Sequence, residues 1–123
     1  MRVKFTANVK SVSVNSAYGR QGYRSFLTKE ASLLQEEIKE AIEEQIKEDI
    51  KFKDSVIIKM KIEREGSSHW DIDNQAKLII DSIVKAGLII DDDLVYELHM
   101  LKGMRKINCV QVIIEDYNFK NLY

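Results

Sequence analysis

The chain has 123 residues, 45% hydrophobic and 32% charged, with 19 Lys and Arg against 20 Asp and Glu and a net charge of −1. This composition excludes low-complexity disorder, bounds the chain to one domain over residues 1–123 with a modest core, and at face value argues against a nonspecific basic nucleic-acid binder. Cys109 is the single cysteine, so no internal disulfide can form; the opening residues carry no signal-peptide run and no segment approaches the ~20 apolar residues of a membrane span, so the expectation is a cytoplasmic protein without a membrane partner.

Residues 3–9 alternate, with Val3, Phe5, Ala7 and Val9 against Lys4, Thr6 and Asn8, which predicts a half-buried strand. Residues 11–26 are rich in Ser and Gly and read as a loop carrying Tyr18, Arg20, Tyr23 and Arg24. From Thr28 to about Asp49, Ala31, Leu34, Ile38, Ala41, Ile42 and Ile46 recur every three to four positions and glutamates fill the other faces. That is an amphipathic helix of about six turns, roughly 30 Å long, with Thr28 as N-cap. Residues 55–64 form a second strand, with Val56, Ile58, Met60 and Ile62 facing in and Lys59, Lys61 and Glu63 facing out.

Helical spacing returns over residues 72–86 through Ala76, Ile79, Ile80, Ile83 and Val84, and Lys85-Ala86-Gly87 supplies the stop. Leu88-Ile89-Ile90 links this helix to Asp91-Asp92-Asp93. Residues 94–101 and 107–114 then read as a hairpin joined by a five-residue loop containing Gly103. The order β-α-β-α-β-β predicts an α+β fold: one mixed four-stranded sheet packed against two helices.

Six of the nine Asp fall between Asp71 and Asp93, and Asp is a poor helix-interior residue. Asp73, Lys77 and Asp81 share one helical face, and a helix start and a strand start can meet at one end of a sheet. Two or three carboxylates around one point would offer hard oxygens to Mg²⁺ or Mn²⁺ while leaving positions for water and phosphate. A neighbouring lysine would hold a phosphate oxygen, and this chemistry points to metal-assisted phosphodiester hydrolysis. Simpler readings account for the same residues: an N-cap at Asp71 or Asp73, an ordinary Asp73–Lys77 ion pair, and a solvated turn at Asp91–Asp93. An EF-hand is disfavoured, because its sixth and twelfth positions hold Ala76 and Ser82 rather than Gly and Glu.

The spacing Asp71-x-Asp73-Asn74-x-x-Lys77-x-x-x-Asp81, followed by Lys85-Ala86-Gly87-Leu88-x-x-Asp91-Asp92-x-x-Val95, resembles the signature of the RusA-type Holliday junction resolvases. Upstream, Ser13-Val14-Asn15-x-x-Tyr18 is similar to the family's Asn-containing loop. The resemblance implies a homodimeric, Mg²⁺-dependent endonuclease of phages and prophages that cuts four-way DNA junctions by paired nicks in recombination and repair, Mn²⁺ being an alternative ion. By position it assigns Asp71, Asp73 and Asp92 to the metal, with Asp91 as an acidic neighbour, Lys77 to the chemistry and Asp81 to a supporting role. Where related sequences carry prolines before the loop asparagine, this chain has Ser11-Val12-Ser13-Val14. Where they carry a basic run before the first aspartate, it has Gly66-Ser67-Ser68-His69-Trp70.

Around that motif, Asn15, Tyr18, Arg20, Arg24 and His69 are candidate DNA contacts, since aromatic and basic residues interleave in a Gly/Ser segment. Trp70 suits either base stacking or anchoring of its loop, and Cys109 suits a small core position. The near-zero charge hides an uneven distribution. Residues 30–49 carry a balance of −6 and the remainder +5. An acidic helix pointing away from DNA and a basic body around a carboxylate site would give that pattern. Two rivals are a catalytically weak branched-DNA-binding module and a protein-interaction domain that docks through its acidic helix.

Overall fold

Each predicted strand alternates so that one side must find apolar cover, and the chain supplies it with two helices on the same side of a single sheet. The structure, a computed structural model, describes residues 1–21, 24–66 and 69–121, with residues 20, 21, 24–26 and 121 described through their backbone only. Strands β1 (Arg2–Ala7), β2 (Tyr18–Gln21) and β3 (Arg24–Leu27) precede helix α1 (Lys29–Gln45). Strand β4 (Val56–Glu63), helix α2 (Ala76–Lys85), and strands β5 (Val95–Lys102) and β6 (Cys109–Asp116) follow. The main sheet has the order β1-β6-β4-β5, with β4 and β5 parallel and the other pairs antiparallel. The fold is therefore α+β with a mixed four-stranded sheet and two helices, as the sequence predicts.

Three local expectations are corrected. Residues 11–26 are not a plain loop: a 3-10 turn at Val14–Ser16 leads into an antiparallel β2–β3 hairpin. The first helix ends at Gln45, not near Asp49, giving 17 residues and a length of about 25 Å. At Ile46 the backbone turns extended (φ −113°, ψ 97°). The Gln45 side chain there pairs twice with edge strand β1, accepting from the Thr6 N–H at 2.8 Å and donating to the Thr6 carbonyl at 2.7 Å. Thr28 caps the helix as predicted, its Oγ1 accepting from the Ala31 N–H at 3.4 Å.

The third correction concerns the last two strands, which are not a hairpin: β4 lies between them. Residues 103–108 cross the end of β4, a span of two strand spacings or about 10 Å. Glu63 Oε2 fastens this crossing by accepting from the Lys106 and Ile107 N–H groups, and Asn108 Oδ1 accepts from the Glu65 N–H. Gly103 donates its N–H to the Ile62 carbonyl. A Cβ on Gly103 would stand 3.2 Å from both Glu63 Cβ and Lys61 Cε, so the glycine serves a close approach to β4 rather than a hairpin turn.

The core lies between the sheet and the helices. Val3, Phe5 and Ala7 of β1, Val56, Ile58, Met60 and Ile62 of β4, and Val110, Val112 and Ile114 of β6 face Leu34 and Ile38 of α1 and Leu78, Ile79 and Ile83 of α2. Cys109 is buried, but on the Gln111 side of β6 rather than in the core expected of it, and burial pushes its thiol pKa up. The opposite sheet face stays open along Lys4, Lys59, Lys61, His99 and Leu101. Gly87 ends α2 in the left-handed region (φ 86°), which only glycine adopts without strain. Among the described residues no helix is long and apolar enough to cross a membrane.

Ile58 is fully buried in the central strand. Ile58→Ala should lower unfolding stability by about 2–5 kcal/mol, read as a lower denaturation midpoint in urea at unchanged slope.

Candidate active site

The acidic motif begins where the chain leaves β4 and turns back over the sheet. Asp73–Gln75 forms a 3-10 turn that runs directly into α2. Gln75 fixes it from below: its side chain is buried, and Nε2 donates to the Asp71 carbonyl at 3.2 Å. Among the described residues Gln75 Oε1 has no hydrogen-bond partner. With Gln75 turned inward, Asp71 and Asp73 are exposed. The Asn74 Nδ2 donates a long hydrogen bond of 3.5 Å to Asp71 Oδ2. The 3-10 turn bearing Asn15 packs against both the Asp73 turn and α2, so the upstream loop and the acidic motif are neighbours.

Lys77, the second residue of α2, reaches along the helix away from Asp73. Its Nζ lies 3.1 Å from Asp81 Oδ1 and 3.5 Å from Asp92 Oδ2. The Asp73–Lys77 ion pair considered from spacing is therefore replaced by a Lys77–Asp81 pair, and Asp92 closes on the same ammonium from the start of β5. Asp81 and then Asp92 hold the Lys77 pKa above the ordinary lysine value, so this residue is a fixed cation at neutral pH.

Asp91 caps the 3-10 turn Asp92–Leu94, its Oδ1 accepting from the Asp93 N–H at 3.2 Å. That backbone donor, with the adjacent Asp92 side chain, lowers the Asp91 pKa, so the carboxylate stays ionised. Asp91–Asp93 is thus a capped turn as well as an acidic one. Asp81, Asp91, Asp92 and the exposed Tyr18 line one cleft of about 380 Å³, with Gln35, Val84 and Lys85 completing its wall. The β2–β3 hairpin thereby brings Tyr18 to the acidic turn.

The predicted residues separate into groups. Lys77, Asp81 and Asp92 converge, with Asp91 and Tyr18 beside them. Asp71, Asp73 and Asn15 sit at the N-terminal end of α2. Among the described residues no three His, Cys, Asp or Glu side chains are gathered to hold a metal ion. Asp81 and Asp92 converge on an ammonium instead.

His69 is exposed next to the motif. Trp70 packs partly buried on the core, with Lys102 Nζ 4.6 Å and Arg64 Cζ 6.0 Å from its ring centroid, an anchoring arrangement. The side chains of Arg20 and Arg24, and all of Tyr23, lie outside the described residues. Sequence reasoning missed Gln75; its only signal was a polar residue one helical turn before Ile79, on the apolar side. The family resemblance gives Asp81 only a supporting role, yet it is the nearest partner of Lys77.

Comparison with known proteins agrees with the motif. The family model described as endodeoxyribonuclease RusA matches residues 6–115, and the chain belongs to that family. It is therefore an endodeoxyribonuclease. It is 26% identical over 93 residues to the crossover junction endodeoxyribonuclease rusA of Enterobacteria phage HK97, covering 76% of this chain and 77% of that protein.

Asp81→Asn should lower the Lys77 pKa, seen by NMR titration of the lysine side-chain resonances. The sign follows from the raised folded value: the pair's contribution is complete below the ordinary lysine pKa and disappears as pH rises through the raised one. An unchanged Lys77 titration in Asp81→Asn would remove Asp81 as the controlling partner.

Proposed function

We propose that this protein is a Mg²⁺-dependent, structure-specific endonuclease that acts in the cytoplasm as a homodimer and resolves four-way DNA junctions by paired nicks. The carrying observation is Lys77, held as a cation by Asp81 and Asp92 at the edge of the Tyr18 cleft, in a chain whose match to the family spans residues 6–115. The name of the phage relative supports the junction as substrate. A four-way junction has two-fold symmetry, and paired nicks in opposing strands need two sites related by a two-fold axis.

The donor set suits the implied metal in chemistry. Asp71, Asp73 and Asp92 are exposed carboxylates with hard anionic oxygens, the ligand class of Mg²⁺ and Mn²⁺. By their place in the motif these three would hold the ion, with Asp91 adjacent; Asp71 and Asp73 stand at the N-terminal end of α2 and Asp92 at Lys77, so the ion would have to draw their side chains together. When bound, the metal lowers the pKa of a water and offsets charge on the phosphate.

The chain's own residues do the rest. The Lys77 ammonium pairs with a nonbridging phosphate oxygen and offsets the negative charge that grows as water oxygen attacks phosphorus and one ester P–O bond breaks. Asp81 orients that ammonium and keeps it charged. Asn15, Tyr18, Arg20, Arg24 and His69 are assigned to the DNA backbone around the scissile phosphate. The exposed glutamates of α1 repel phosphate and direct DNA to the other surfaces.

The test is nicking of a synthetic four-way junction with Mg²⁺ or EDTA. Wild type should cut in Mg²⁺ only; Asp73→Asn and Lys77→Met should each reduce the rate by at least about 100-fold, the scale of losing one charge-stabilising group, with junction binding retained. Undiminished cutting by Asp73→Asn would remove that residue from the site. Junction binding without metal-dependent nicking would identify a binding module instead.

Junction affinity should also fall steeply between about 50 and 200 mM salt, as counterion release requires. A salt-independent affinity would contradict backbone contact by the basic surface.

A further inference from the structure

Past the end of β6 the chain does not leave the body. Tyr117 donates its N–H to the Ser55 carbonyl at 2.9 Å, so the strand's continuation is held at the start of β4. This hydrogen bond brings Tyr117 and Phe119 to Tyr96, the second residue of β5. Ring centroids lie 5.4 Å apart for Tyr96–Tyr117, 5.8 Å for Tyr96–Phe119 and 4.7 Å for Tyr117–Phe119; both Phe119 contacts are edge-to-face. Tyr96 remains 57% and Phe119 55% exposed. Each edge-to-face contact occupies one ring face of its pair, and the exposure of Tyr96 and Phe119 leaves a contiguous aromatic surface in water, the kind of surface that marks interaction sites. Tyr117 and Phe119 follow the family match, which ends at residue 115.

This cluster is continuous with the candidate active site. Tyr96 follows directly on the turn Asp92–Leu94 and its cap, Val95. Between the two runs a short segment centred on buried Phe52, whose N–H donates to the Leu88 carbonyl at 2.8 Å and whose carbonyl accepts from the Ile90 N–H at 3.2 Å. Lys51 and Lys53 flank Phe52 and are exposed, so two lysines lie on the segment that runs from Leu88–Ile90 to Ser55, whose carbonyl holds Tyr117. Nearby carboxylates are engaged locally: Asp54 accepts from the Ser55 N–H, and Asp116 pairs with the N-terminal ammonium. Exposed aromatic surface, with exposed lysines that make no ion pair among the described residues on the adjoining segment, matches a nucleobase joined to its phosphates and suits an apolar protein partner poorly.

We propose that Tyr96, Tyr117 and Phe119, with Lys51 and Lys53, form a docking surface for an unpaired stretch of nucleic acid next to the scissile phosphate, the bases stacking on the rings and the phosphates lying on the lysines. The inference rests on the endonuclease reading of the adjacent site. It gives this chain a means of holding bases splayed out of the duplex at a branch point, built partly from residues beyond the family match.

The test measures binding of a short single-stranded oligothymidylate, and quenching of 2-aminopurine within such a strand, by the whole protein in EDTA. Tyr96→Leu and Phe119→Leu should each weaken binding about tenfold and the pair should abolish quenching, while Tyr96→Phe keeps wild-type affinity. Lys51→Gln and Lys53→Gln should each reduce the salt slope by about one. Phe119→Leu, at an exposed position, preserves the thermal midpoint and separates lost stacking from lost folding. Wild-type affinity in both leucine variants overturns the proposal, as does a changed sedimentation state, which would make the rings an interface between copies of this chain. If wild type nicks junctions while the leucine variants bind unchanged, this inference alone fails. If wild type neither binds nor nicks branched DNA, the endonuclease reading fails.

Discussion

The parallel pairing of β4 with β5 is the constraint from which the candidate site follows. Two parallel neighbours cannot be joined by a tight turn, so the chain must return across the sheet between them, and α2 is that return. β4 can be central because Val56, Ile58, Met60 and Ile62 are all buried beneath the helices, while Lys59 and Lys61 keep the other side polar. Once α2 lies on the sheet with Leu78, Ile79 and Ile83 inward, Lys77 and Asp81 turn outward together. The chain then emerges at Asp91–Asp93 beside them. The Lys77–Asp81–Asp92 cluster is a geometric result of the crossover as much as of the residues.

The site is electrostatically poised rather than buried. Lys77 and its two carboxylates remain substantially exposed, so solvent screens their attraction and the cluster adds little to stability. Its consequence is positional: a cation held between two anions, beside a cleft reached by Tyr18. The rigid part lies underneath, in the buried Gln75 amide on the Asp71 carbonyl and in the Asp91 cap of the turn before β5. Asp73 and Asp92 thus stand on short turns pinned by neighbouring side chains, Gln75 at the one and Asp91 at the other.

Most of the local structure was legible because it depends on short-range periodicity. Val3–Ala7 and Val56–Ile62 alternate with period two, the Ala31–Ile42 set repeats at helical spacing, and Thr28 and Gly87 are specific end signals; all of these appear as expected. The errors came where nonlocal contacts overrode local pattern. The last two strands with a glycine between them have the sequence of a hairpin, and only the demand of β4 for a second neighbour separates them. The helix periodicity reaches Ile46, but Gln45 finds a better partner in the unpaired backbone of Thr6, and Ile46 leaves the helix. A Ser/Gly-rich segment concealed the β2–β3 hairpin because strand pairing there owes little to apolar alternation.

The sequence by itself determined the family motif, the α+β class with its element order, and the chemistry available to the site, since residue types at fixed spacing suffice for each. It also determined the segregation of charge, with the exposed glutamates of α1 set apart from a basic remainder. Tertiary structure alone decided which carboxylate pairs with Lys77, that Gln75 fixes the Asp71 turn, and that Tyr96, Tyr117 and Phe119 meet. Each of these unites residues from separate elements. Strand order and crossover path control such encounters, and no pairwise spacing along the chain encodes them.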